Sequence, residues 1–118
     1  MNKLRELTIS ELSTEVEHFV KERKWEKYHN PKDLAEGICI EASELLEIFL
    51  WRDPKEASEL IDDPIKFKEV EEEVADVMIY CLSLANSIQI DLTKAILHKL
   101  ELNKKKYPAE EYCGKARL

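Results

Sequence analysis

Two short acidic patterns carry the chemistry of this chain. Glu41-Ala-Ser-Glu44 and Glu73-Val-Ala-Asp76 each set two carboxylates three residues apart inside an apolar-periodic stretch. On a helix that spacing is close to one turn, so both members of a pair point to the same side. Two such turns facing each other form a four-carboxylate cage. Like charges about 4 Å apart repel by roughly 1 to 4 kcal/mol at surface-like dielectrics, so four converging carboxylates call for a cation. A ligand set made only of oxygen suits Mg²⁺, with Mn²⁺ as a substitute, better than zinc.

Two further groups could serve such a cage. Trp25, Tyr28, Trp51 and Tyr80, with His29 nearby, are aromatic. Trp25 and Trp51 fall at helix ends, and Tyr80 lies one turn beyond Asp76 on the same flank. Beside a metal site these rings could stack a nucleobase, worth roughly 1 to 3 kcal/mol per base; core filling is the plainer reading. Lys99 and Asn103 are one turn apart and precede Lys104, Lys106 and Tyr107-Pro108. They could hold a phosphate or sugar, or merely complement the dipole of a helix C-terminus. A di-iron centre would want Glu-x-x-His on each of two helices. Glu15-Val-Glu-His18 and Glu26-Lys-Tyr-His29 have that spacing, but both lie in or just after the first helix, away from the acidic pairs.

The elements that must position these groups are helical. Thr8 and Glu11 have capping-box spacing and open a first helix whose stripe is Leu12, Val16, Phe19 and Val20, ending at Trp25. Tyr28 to Asn30 is a loop. Asn30-Pro31, with Asp33 in the first turn, starts a second helix that runs to about Trp51. At about 100° per residue, Leu34, Ile38, Leu45 and Phe49 share one arc. Glu41 falls inside that arc and Glu44 on its rim, whereas Glu36 and Glu47 point away. A carboxylate in an apolar face is costly unless paired or bound to metal. Asp53-Pro54 opens a short helical turn, and Asp63-Pro64 opens a third long helix to about Gln89 with the seam Val70, Val74, Val77, Cys81, Leu84 and Ile88. Asp91 caps a fourth, to about Lys105, and Pro108 ends it. The tail from Ala109 to Leu118 is polar and reads as loosely held. The expected architecture is all-α, a four-helix-bundle-like single domain over residues 1–118 with its core between Thr8 and Pro108.

Composition narrows the function. With 2 Gly and 4 Pro in 118 residues, the chain is poor in helix breakers. A net charge of -7 argues against binding a nucleic acid polymer. Cys39, Cys81 and Cys113 lack metal-ligand spacing and read as reduced thiols of a cytoplasmic protein. The start lacks a signal-type apolar stretch, and the apolar run from Val77 to Ala85 is too short to span a bilayer, so no membrane partner is expected.

The ordered set Glu41-x-x-Glu44-Leu45, Trp51, Glu73-x-x-Asp76-Val77, Tyr80, then Lys99-x-x-x-Asn103-x-x-Lys106-Tyr107-Pro108 resembles the MazG-like all-α nucleoside triphosphate pyrophosphohydrolases, and within them the dCTP pyrophosphatase branch. The segments Trp25 to Pro31 and Phe49 to Trp51 resemble that branch's aromatic segments. The resemblance implies Mg²⁺-dependent hydrolysis of a nucleoside triphosphate to the monophosphate and pyrophosphate, with dCTP or modified cytidine nucleotides favoured, in nucleotide-pool cleaning. It implies metal and catalytic roles for Glu41, Glu44, Glu73 and Asp76, base contacts for Trp25, His29, Trp51 and Tyr80, and phosphate or sugar contacts for Lys99, Asn103 and Tyr107. It also implies a homodimer or homotetramer whose sites draw on more than one chain. Lys106 departs from the Arg common there and offers charge without a bidentate fork. A non-hydrolysing nucleotide-binding module and a helical interaction scaffold are the alternative classes. Binding without turnover would mark the first, and indifference to Mg²⁺ the second.

Overall fold

The computed structural model describes residues 6–115, and within them every regular element is helical. The start, at 1–5, and the last three positions of the tail, 116–118, lie outside the described residues. The long helices are α1 (Ile9–Glu22), α2 (Pro31–Phe49), α4 (Pro64–Ile88) and α5 (Leu92–Lys106); α3 (Pro54–Leu60) and α6 (Ala109–Tyr112) are short.

Local chemistry sets where each helix begins. Thr8 and Glu11 form a reciprocal capping box, both bonds at 3.1 Å. Asn30 accepts from the Asp33 N–H at 2.9 Å, Asp53 from Glu56 at 2.8 Å, Asp63 from Ile65 at 2.9 Å and Asp91 from Lys94 at 3.1 Å. Proline follows the cap in α2, α3 and α4, where its missing N–H has no helical partner to lose.

The ends depart from the sequence expectation. α1 stops at Glu22, short of Trp25, because Lys24 takes a left-handed φ of 55°. A 3-10 turn, Glu26–Tyr28, occupies part of the expected loop. α2 stops at Phe49, and Trp51 is left-handed at φ 67°. The tail is partly ordered: α6 brings Tyr112 edge-on to Tyr107, ring centres 5.2 Å apart.

Packing centres on the α2–α4 pair. Leu34 of α2 and Leu82 and Ala85 of α4 are buried there with Val20 of α1. α1 lies on α4, pinned by the Asn86 side-chain amide donating to the Ser13 carbonyl at 2.9 Å. α5 packs chiefly on α1, so one chain does not close the expected bundle. The surface is 9950 Å², where a compact monomer of this mass exposes about 6,600 Å². The radius of gyration is 17.6 Å, against about 13.5 Å for a compact domain of this length. Ile79 of α4 and Ile96, Leu97 and Leu100 of α5 are among the large apolar side chains left exposed.

Candidate metal centre

The register of α2 against α4 builds the site. Gly37 meets Tyr80, Glu41 feels Asp76 and Glu73, and Glu44 feels Glu73, so the two helices run antiparallel and the two acidic turns face each other. Carboxylate oxygens of Glu41, Glu73 and Asp76 lie within 4.8 Å of one another. Glu44 stands outside that group of three but acts electrostatically on both Glu41 and Glu73.

This cluster is electrostatically unsatisfied. Oε2 of Glu41 and Oε2 of Glu73 are buried without a hydrogen-bond partner. Burial raises the Glu41 carboxyl above its ordinary value of 4.5, followed by the hydrogen bond and charge of Glu44 and the charges of Asp76 and Glu73. Glu73 is raised likewise, by burial first and then by the charges of Glu44 and Asp76. Proteins rarely leave two buried carboxylate oxygens unpaired beside further negative charge. A hard divalent cation would supply the missing partner, and oxygen donors at this separation fit one.

The cluster opens into a cleft of about 400 Å³ lined by Glu44, Glu47, Ile48, Lys66, Glu69 and Glu73. Glu47 therefore does not point away as its helical angle suggested. The cleft lies on the rim where Glu44 sits, and Glu47 is its neighbour one turn on. Lys66 adds a cation to this acidic wall, paired with Glu69 at 3.3 Å. Lys66 and Glu69 escape a sequence reading because a Lys–Glu pair three apart is the usual dress of a solvated helix face.

Tyr80 is fixed from beneath. A Cβ on Gly37 would fall 2.3 Å from the Tyr80 ring, so only glycine lets that ring lie against the α2 backbone. The signal was present in the sequence as a lone glycine inside a helical run, where it costs roughly 1 kcal/mol against alanine. Gly37→Ala is expected to displace Tyr80 and destabilise the fold by about 1 to 3 kcal/mol, read as a lowered melting temperature.

The other expected site residues are dispersed within one chain. His29 lines a separate pocket between α1, the 3-10 turn and α4. Trp25 packs edge-on against Phe19, ring centres 5.7 Å apart. Trp51 is 93% exposed. Lys99, Asn103 and Tyr107 sit on or just after α5, which packs chiefly on α1, and no hydrogen bond or ion pair among the described residues joins them to the carboxylates.

The chain is similar to known proteins. The model of the MazG-like family matches residues 37–115. The chain is 34% identical over 98 residues to dCTP pyrophosphatase 1 of Bos taurus, covering 83% of this chain and 58% of that one. It is 36% identical over 91 residues to dCTP pyrophosphatase 1 of Homo sapiens, covering 77% and 54%. It thus spans under three fifths of the length of these curated relatives. A crystal structure of a pyrophosphatase from Archaeoglobus fulgidus DSM 4304 superposes with a TM-score of 0.79 at 41% identity, covering 92% of this chain and 99% of that one. The matched region takes in both acidic turns, Tyr80 and the α5 segment, and on this evidence the chain belongs to the MazG-like family.

Proposed function

We propose that this chain hydrolyses a nucleoside triphosphate to the monophosphate and pyrophosphate with Mg²⁺ as cofactor, Mn²⁺ substituting. The observation that carries the proposal is the carboxylate cluster with two buried, unpartnered oxygens, in a family whose relatives here are named pyrophosphatases. Glu41, Glu44, Glu73 and Asp76 would hold the cation, which when bound supplies the positive charge that a triphosphate and its developing leaving group require. The raised Glu41 and Glu73 carboxyls suit these two residues to take a proton from an attacking water, a role the proposal extends to the whole acidic set. Tyr80, held flat by Gly37, would bound the sugar and base side.

The name of the curated relatives favours dCTP as substrate, and the proposal extends to modified cytidine nucleotides and to a role in nucleotide-pool cleaning. The test is a panel of dCTP, 5-methyl-dCTP, dUTP and dTTP with and without Mg²⁺, products resolved by chromatography. Metal-dependent release of monophosphate and pyrophosphate is the expected result. If no nucleotide gives that pair of products, the reading is wrong.

The excess apolar surface supports self-assembly as a homodimer or homotetramer. At about 100° per residue, Lys99 and Asn103 share an arc of α5 with Leu92, Ile96 and Leu100. Ile96 and Leu100 on that face are exposed in one chain. A second copy covering the face would bury the apolar side chains and bring Lys99, Asn103 and Tyr107 to a carboxylate cluster. The three cysteines are free, which suits a reducing compartment such as the cytoplasm. No described helix is long and apolar enough to cross a membrane.

A further inference from the structure

The pocket between α1, the 3-10 turn and α4 encloses about 280 Å³ and shares no lining residue with the metal cleft. Its lining includes Ser83, Asn86 and Ser87 of α4 together with Glu26 and His29. Ser83 is only 6% exposed, yet its hydroxyl has no hydrogen-bond partner among the described residues. Several helical hydroxyls, those of Thr14, Ser43, Ser58 and Ser87, turn back to a backbone carbonyl. Ser83 faces the pocket instead. A hydroxyl open to a cavity, on a residue otherwise buried, is poised for a ligand.

Asn86 is oriented by its other end. Its amide donates to the Ser13 carbonyl at 2.9 Å, and that carbonyl can only accept. The side chain cannot flip without losing the bond, so Oδ1 is held in place as the acceptor it offers beside its second N–H. The wall therefore offers a fixed acceptor beside an adaptable hydroxyl.

The pocket also lies in line with the metal cluster. At about 100° per residue, Glu73, Asp76, Tyr80, Ser83 and Ser87 fall within about 80° of one another around α4. Ser83 stands seven residues beyond Asp76, about 10 Å along the axis. That is comparable with the reach from the α-phosphate to the far edge of the base in an extended nucleotide.

We infer that Ser83 and Asn86 read the base edge of the substrate, selecting a base that presents an exocyclic amine beside a ring-nitrogen acceptor over its oxo counterpart. The amine donates to Asn86 Oδ1, and the Ser83 hydroxyl donates to the ring nitrogen. An oxo group at the same place would set two acceptors against each other, and the held carboxamide could not turn to relieve them. The inference rests on the nucleotide reading of the metal centre, but it concerns a different part of the chain.

Two measurements test it. Steady-state kcat/KM is compared for dCTP against dUTP and for dATP against dITP, pairs that differ in the amine or oxo group, with wild-type protein, Ser83→Ala and Asn86→Ala. Calorimetric titration of dCMP and dUMP into metal-free protein reads the pocket without turnover. The expected results are at least a tenfold preference for the amino member, a roughly tenfold loss for it in Ser83→Ala, and near-equal use of both members in Asn86→Ala. If active wild-type protein treats the members alike, or both variants keep the wild-type ratio, the inference is overturned while the pyrophosphohydrolase reading stands. If no nucleotide is hydrolysed but dCMP binds in preference to dUMP in a Ser83-dependent way, the inference survives and the hydrolytic reading falls.

Discussion

Glu41→Gln is expected to cut turnover roughly 10³-fold at any Mg²⁺ concentration, while leaving the metal-free fold at least as stable as the wild type. The loss follows if the cluster holds a cation worth several kcal/mol to the transition state, each 1.36 kcal/mol being about a tenfold factor. The stability gain follows from the geometry. Glu41 has a buried, unpartnered oxygen and sits against Glu44, Glu73 and Asp76, so neutralising it relieves that repulsion without a cation. The pH dependence has a defined sign. Glu41 and Glu73 have folded-state pKa values raised above 4.5, so the folded chain holds protons that the unfolded chain has released. Their stabilising contribution is full below the unfolded value and is lost as pH rises through the raised folded values. Metal-free wild-type protein should therefore melt higher near about pH 5 than near about pH 7, measured against Glu41→Gln as the reference. Added Mg²⁺ should raise the wild-type melting temperature most at the higher pH, because protons and cation compete for the same oxygens. A wild-type melting temperature indifferent to Mg²⁺ across this range would argue for a scaffold with no metal centre.

Mixing two inactive variants is expected to restore activity. Glu73→Gln removes part of the carboxylate cluster, and Lys99→Ala removes a cation from the α5 face that one chain leaves uncovered. If a two-fold assembly joins the α5 of one copy to the cluster of the other, each mixed dimer contains one doubly damaged site and one intact site. Random exchange should then recover roughly a quarter of wild-type activity from two preparations that are each nearly dead. Activity is assayed after the variants are unfolded together and refolded, with the assembly sized by sedimentation. A mixture as inactive as its parts would mean that each site is complete within a single chain.

Much of the fold was legible because its determinants are local. Asn30, Asp53, Asp63 and Asp91 cap the helices they were expected to cap, since a short acceptor followed within three residues by a free N–H is read from adjacent positions alone. The facing of the acidic turns was legible because Glu41 lies within an apolar arc, and the arc had to meet a second helix. The helix ends were harder. Lys24 and Trp51 leave the helix in left-handed conformations without the glycine that usually signals one. The pocket at Ser83 and Asn86 was invisible, because a serine or asparagine on a helix looks the same whether its hydrogen bond is local or saved for a ligand. Glu47 was misplaced because helical angle locates a residue on its own helix but says nothing of where a cleft opens between two.

The open surface of the single chain changes how its sequence can drift. Exposure in one copy normally marks positions free to vary, and burial marks those that are not. Here Val20, Leu34, Leu82 and Ala85 make a very small interior, while Ile79, Ile96 and Leu100 lie outside it. Substitution tolerance should then be inverted along much of α4 and α5, with apparently superficial positions as intolerant of polar replacements as a core. If a second copy covers that face, changes there would have to be matched on the facing copy, and neighbouring helices of this chain would evolve as partners of themselves.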